Sequence, residues 1–263
     1  MKQAYDKKLQ RILSDNTSGS RDLLVNLNNY LKTNLKKMKD PESLIKNLKS
    51  EFKSFHAVIH YLNSLEKVYK KDIAGLNEFF RDTSYEETVI YENIFNNLPV
   101  HLVRSEKILT ISNSRTVYEI VKRIKRENSK ISILVCESRP NLEGRELITK
   151  LEKEKIKVQL VTEAMCAYAV QQCDSVLTGA DIILAKGNIV NKIGSLNLAV
   201  LCKYYQKPFY VIADKSKRIE TTGFAQKKHP GSEIWDVKDS KIKIDNFYFE
   251  EINRKLVTKL ITN

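Results

Sequence analysis

The strongest constraint on this chain is a change of rhythm at Pro99. Beyond it, short apolar runs rich in Ile, Val and Leu alternate with longer amphipathic stretches. The spacing predicts strands at 107–111, 131–136, 158–161, 175–177 and 208–213. It predicts helices at 115–127, 144–154, 164–172 and 195–205. Strands that are apolar throughout are buried on both faces. Alternated with helices, they give a mostly parallel sheet covered on both sides, a Rossmann-like α/β fold. Residues 182–190 (IILAKGNIV) predict a small hairpin after the fourth strand, with Asn191 and Lys192 beyond it. A last strand is expected at 247–249, closing an edge. Trp235 and Ile234 are expected to anchor the C-terminal segment to the core.

The region before Pro99 reads as helical. Leu23, Leu27, Leu31 and Leu35 form an i, i+4 stripe behind the cap and turn cluster at 15–20. Pro41 follows Asp40 and suits the first turn of another helix. Phe52, Phe55, Ile59, Leu62 and Leu65 form the next stripe, and a further helix is predicted at 85–98. The expected organisation is a helical N-terminal domain at 1–98 and the α/β domain at 99–263.

The 263 residues, 42% of them hydrophobic, suffice for a sizeable core. No apolar run reaches the ~20 residues that span a bilayer, so no membrane partner is expected. The opening MKQAYDKKLQ has no apolar centre and does not read as a secretory signal. Cys136, Cys166, Cys173 and Cys202 lie in apolar segments without paired spacing. They imply a reducing, cytoplasmic setting and no disulfide framework. The net charge of +13 is spread over helix faces. Its densest cluster, Lys122, Arg123, Lys125, Arg126 and Lys130, reads first as a solvated face and second as an RNA or ribosome contact. His56 and His60 are spaced i, i+4, but no third ligand follows, so no metal is expected, nor any cofactor.

In a parallel sheet the residues just past each strand gather at one edge, where open α/β sheets bind ligands. Here they are Ser112, Asn113 and Ser114, then Arg139 and Arg145, then Asp181, then Asn191 and Lys192, then Lys217. Cations beside helix N-termini suit a phosphate. A carboxylate and amides suit sugar hydroxyls. The edge therefore points to a sugar phosphate or a nucleotide. Taken singly, each residue also has a plain structural use: Ser114 as a helix cap, Arg139 and Arg145 as partners of Glu137 and Glu143, Lys217 as surface.

Three motifs in order, ESRPNLEGRE at 137–146, LTGAD at 177–181 and GNIVNKIGS at 187–195, resemble the regulatory (alpha, beta and delta) subunits of translation initiation factor 2B. The same superfamily holds ribose-1,5-bisphosphate isomerase and methylthioribose-1-phosphate isomerase. The turn at Thr17–Ser20 resembles the family more weakly, and it implies ligand contacts from Gly19, Ser20 and Arg21. In the isomerases a cysteine after the first C-terminal strand and the Asp of GAD carry proton transfer. Asp181 matches the Asp, but Ser112 stands where the cysteine would be. A serine hydroxyl titrates far above a thiol and is a poor proton shuttle without a dedicated base. Cys136 is a thiol at a strand end, and it reads better as a small core residue.

The resemblance therefore implies a non-catalytic, regulatory-subunit-like protein that keeps a sugar-phosphate or nucleotide pocket. It implies a homodimer or higher oligomer formed through the C-terminal domain, and an initiation factor as partner. The alternative is an aldose–ketose isomerase using Asp181, with Ser112 or Cys136 in place of the missing cysteine.

Overall fold

A computed structural model describes residues 5–15, 20–53, 55–237 and 241–263. The chain divides into two compact units, Met1–Ile90 and Tyr91–Asn263.

The first unit is helical. It holds α1 (Lys7–Leu13), α2 (Ser20–Asn34), α3 (Pro41–Glu51), α4 (His56–Lys71) and most of α5 (Leu76–Asn96). Asp6 caps α1 by accepting the Lys8 and Leu9 N–H groups, and Asp40 caps α3 ahead of Pro41. Leu23, Leu27, Leu31 and Leu35 are fully buried, as the i, i+4 stripe requires. The second stripe is interrupted. Phe52 ends α3 and Phe55 precedes α4, so the two rings flank a turn and meet edge to face. The last helix starts at Leu76 rather than at 85, because Leu76 and Phe80 supply an extra buried turn.

The second unit contains α6 (Val100–Val103), β1 (Lys107–Ile111), α7 (Arg115–Glu127), β2 (Ser132–Cys136), α8 (Glu143–Lys153), β3 (Lys157–Val161), α9 (Cys166–Gln172), β4 (Ser175–Thr178), β5 (Ile182–Ile183), β6 (Ile189–Lys192), α10 (Ser195–Tyr204), β7 (Phe209–Ala213), β8 (Phe249–Ile252) and β9 (Lys259–Thr262). Six strands form one sheet in the order β3-β2-β1-β4-β7-β9, and every pairing is parallel. Leu109, Ile111, Leu134, Val176, Phe209 and Val211 pack on one face with residues of α9 and α10. The alternate residues, such as Ile108, Ile133 and Leu177, turn to the other face and are equally buried. Among the described residues no helix is long and apolar enough to cross a membrane.

Three expectations need correction. Asn191 and Lys192 do not lie beyond the hairpin; they are the last residues of β6. The strand expected at 247–249 begins at Phe249 and joins β5 and β6 in a separate antiparallel sheet, ordered β5-β6-β8. The main sheet is closed instead by β9, whose partner is β7. Trp235 and Ile234 do not anchor the segment: Trp235 is 60% exposed and Ile234 38%. The apolar residues that secure this part of the chain are Ile252, Val257 and Ile261.

One glycine fixes how β2 passes into α8. A Cβ on Gly144 would lie 1.9 Å from the Cys136 carbonyl oxygen, so the helix start sits against bare backbone. Gly144→Ala is expected to destabilise the protein by about 3 kcal/mol or more, because the clash is with main chain. Gly223→Ala, where nothing lies within 4 Å, serves as the control and should be close to neutral. Urea midpoints of the two variants measure the difference.

Candidate functional site

The strand order reverses between β1 and β4, since the chain runs outward to β3 on one side and to β7 and β9 on the other. Folds of this type bind ligands at such a reversal, beyond the carboxyl ends of the strands. Here the turns Ser112–Ser114 after β1 and Gly179–Asp181 after β4 meet at that point. The two come very close. A Cβ on Gly179 would lie 2.6 Å from the Ser114 hydroxyl, so the bare glycine lets the turns approach. Ser114 caps α7, its Oγ accepting the Val117 N–H at 3.3 Å.

Asp181 lies deep at this edge, though part of its surface stays open. Its backbone N–H is fixed by the Val190 carbonyl at 2.9 Å. Its carboxylate makes no hydrogen bond or ion pair with any described residue. Burial pushes its pKa up, and the nearby charges of Lys217 and Lys192 only partly oppose that. Lys217 donates to the Ala180 carbonyl, which holds it beside Asp181. Lys192 is buried and pairs with Glu143 Oε1 at 2.6 Å, with its Nζ 4.9 Å from the centre of the Tyr248 ring. Burial also raises the Glu143 pKa, again against Lys192. The structure thus brings Ser114, Asp181, Lys192 and Lys217 together at the strand-order reversal.

The other expected residues are held elsewhere. Asn113 is buried, but its amide is used: Nδ2 donates to Glu146 at 2.9 Å and Oδ1 accepts from Lys150 at 3.0 Å. Asn191 donates to the Ser195 hydroxyl at 2.9 Å. Arg145 is exposed and pairs with Glu137. Arg139 is exposed and donates to the Ile234 carbonyl at 3.0 Å. Arg21 lies in the first turn of α2, 3.9 Å from Glu87. Ser20 begins α2, while Gly19 falls outside the described residues.

Two further groups matter here, neither of them expected as a site residue from the sequence. Ser138, after β2, is fully buried. Its Oγ accepts the Ser112 N–H at 2.7 Å, and its own N–H donates to Glu163 Oε1 at 2.6 Å. Three neighbouring strand ends are thereby tied together. Ser112 and Ser138 both sit in the left-handed region, at φ 69° and 70°. Non-glycine residues hold that conformation only where the surroundings impose it, and such positions cluster at ligand sites. The second group is Glu250, which accepts the Leu196 N–H at 2.8 Å and so fills the N-terminus of α10 with the protein's own carboxylate. The available signal was only a small polar residue directly after a buried strand, and an acid in register with Asn191.

Cys136 is fully buried, with its Sγ 4.0 Å from Cys166 Sγ. Contact with Cys166 and burial push its thiol up, away from thiolate chemistry.

The model of the initiation factor 2 subunit family matches residues 3–263. The chain belongs to that family. It is 36% identical over 110 residues to an eIF-2B subunit 2-like protein of Pyrococcus furiosus, covering 42% of this chain and 40% of that one. It is 42% identical over 102 residues to the methylthioribose-1-phosphate isomerase of Bacillus cytotoxicus, covering 38% of this chain and 28% of the isomerase. These alignments span less than half the length of either relative. A translation initiation factor eIF-2B structure from Pyrococcus horikoshii superposes with a TM-score of 0.76 at 22% identity, covering 97% of this chain and 94% of that one. The 5-methylthioribose 1-phosphate isomerase of the same organism gives 0.70 at 21% identity, covering 96% and 81%. The family is therefore established and the fold shared, while both branches lie at similar distance.

The raised pKa of Asp181 has a signed consequence. Folding favours its protonated form, so its contribution to stability is present below the unfolded value of 3.8 and is lost as pH rises through the folded value. Asp181→Asn is therefore expected to raise the melting temperature at neutral pH. The gain should fade as pH falls toward 3.8, and melting curves across that range check the sign.

Proposed function

We propose that this chain is a non-catalytic, regulatory-subunit-like member of its family that binds a sugar phosphate or nucleotide in a β1/β4 crevice. The observation that carries the reading is the Asp181 carboxylate, which is left without a hydrogen bond at the strand-order reversal and flanked by Lys192 and Lys217. A carboxylate in that state suits the hydroxyls of a sugar, and the two ammonium groups suit its phosphate. Ser112 and Ser114 border the phosphate side, with Asn113 and Asn191 behind them as supports. Arg139 and Arg145 form an outer rim.

Chemistry is disfavoured by what stands beside Asp181. Ser112 occupies the position of the isomerase cysteine, and Cys136 is sealed in the core. One observation favours the isomerase alternative: the carboxyl of Asp181 is held above its ordinary range, as a proton-transfer group would need.

The C-terminal unit also carries exposed apolar side chains on two helices that lie against each other: Tyr168 on α9, with Met165 just before it, and Val200 and Tyr204 on α10. That surface supports association with a second copy in a homodimer or larger assembly. A chain of the tetrameric eIF2B-beta2-delta2 complex from C. thermophilum shares the fold, with a TM-score of 0.71 at 17% identity. An initiation factor as partner and a cytoplasmic location follow from the same reading.

Calorimetry with ribose 1,5-bisphosphate and methylthioribose 1-phosphate, beside a turnover assay for each, tests the proposal. The expected outcome is binding without turnover, weakened about tenfold or more in Asp181→Asn through loss of a charged hydrogen-bond acceptor. Turnover abolished by Asp181→Asn would establish the isomerase instead. A lack of heat with either compound and with nucleoside monophosphates would remove the pocket.

A further inference from the structure

The opposite edge of the main sheet has a cleft of its own. It lies at the amino ends of β1 and β4, beside α6, with a volume of about 470 Å³. That is within the usual range for small-molecule sites, roughly 300–1,000 Å³. Its lining includes His101, Arg104, Glu106, Lys107, Gln172 and Asp174.

Several cations of this unit are matched by the protein's own acids: Arg123 with Glu119, Lys122 with Glu154, Lys192 with Glu143, Lys228 with Asp245. In this cleft the side chains of Arg104 and Lys107 make no hydrogen bond or ion pair with any described residue. Neither do those of His101 and Gln172. The acid best placed to neutralise them is already committed. Asp174 Oδ2 accepts the backbone N–H of Glu106 at 2.8 Å and of Lys107 at 2.9 Å. Its job is to hold the start of β1, and the Asp174 N–H returns a bond to the Lys107 carbonyl at 2.9 Å.

The floor is rigid. Ser105 and Ser175, both buried, share a hydrogen bond at 3.1 Å, and Asn128 donates to the Ser105 carbonyl at 2.9 Å. Arg104 and Lys107 are therefore carried on fixed backbone three residues apart. A guanidinium and an ammonium without internal partners form charge-assisted bonds to an anion. Gln172 and His101 add further donors. Glu106, with its carboxylate free, accepts from a hydroxyl. Formal charge in the cleft is balanced, so a bare anion gains less than a ligand that also donates.

We propose that this cleft is a second binding site, separate from the β1/β4 crevice, for a small phosphate monoester that carries hydroxyl groups. The phosphate lies between Arg104 and Lys107, and a hydroxyl donates to Glu106. The site stands independently of the function proposed for the crevice.

Calorimetry with inorganic phosphate and with glycerol 3-phosphate, at low and at physiological salt, tests it. Glycerol 3-phosphate is expected to bind more tightly than phosphate, and binding should weaken with salt. Arg104→Ala with Lys107→Ala should lower affinity about tenfold or more, the effect of losing charge-assisted bonds. Lys228→Ala, at an exposed pair outside both sites, should leave it unchanged. Arg104 is exposed and Lys107 only half-buried, so the double variant should fold, which circular dichroism checks. If the double variant fails to fold, the charge reversal Arg104→Glu gives the same reading. Unchanged affinity in the folded variants, or loss in Asp181→Asn alone, would overturn the proposal. Equal affinity for the two probes would overturn the role of Glu106.

Discussion

The pairing of Lys192 with Glu143 holds the carboxyl edge of the main sheet and the small sheet beside it in one arrangement. The two charges are buried, 2.6 Å apart, and come from different layers. Lys192 ends β6 of the small antiparallel sheet, and Glu143 begins α8 over the main sheet. Taking both out of water is costly, and removing either partner alone would leave an uncompensated charge. The pair therefore acts less as a source of stability than as a constraint on register. The small sheet can sit against the main one only where ammonium and carboxylate meet. The second carboxylate oxygen, Oε2, is buried without a well-formed hydrogen bond, with Asn141 nearby, so the constraint is satisfied on one side only.

That arrangement explains why Asp181 is poised and Glu143 is not. Both are carboxyls pushed upward by burial, and both feel Lys192. Glu143 has direct contact with the ammonium. Asp181 has only its field, so its lone pairs stay available to something that enters. The strained turns at Ser112 and Ser138 are locked by the hydrogen bonds between strand ends, and they present backbone in a shape the sequence would not choose alone. Such rigidity favours recognition, because little ordering is left to be done when a ligand arrives.

Much of the fold was legible because its signals are local. Alternating apolar runs and amphipathic stretches mark β1 to β4, β7 and α7 to α10 nearly residue by residue. The misses in the sheets are matters of distant pairing. The strand Lys259–Thr262 is short and carries no pattern that tells a sheet edge from a tail, and only the open side of β7 selects it. Likewise β6 runs on through Lys192 because β8 arrives to pair with it, fifty-odd residues later. For the site, the candidate residues were legible because each follows a strand, but their partners were not. Nothing in the sequence says that Lys192 is matched by an acid 49 positions away, or that Arg139 spends its guanidinium on a loop carbonyl. Ser138 stood inside the motif that drew attention, but its neighbours Arg139 and Arg145 carried the more obvious chemistry.

The carboxylate of Glu250 at the start of α10 has a consequence of its own. A helix amino end ordinarily attracts negative charge, and here that attraction is already answered from within. The start of α7, by contrast, is capped by the neutral hydroxyl of Ser114. The two helix starts past β1 and β6 thus differ in charge, one answered by a carboxylate and the other by a hydroxyl.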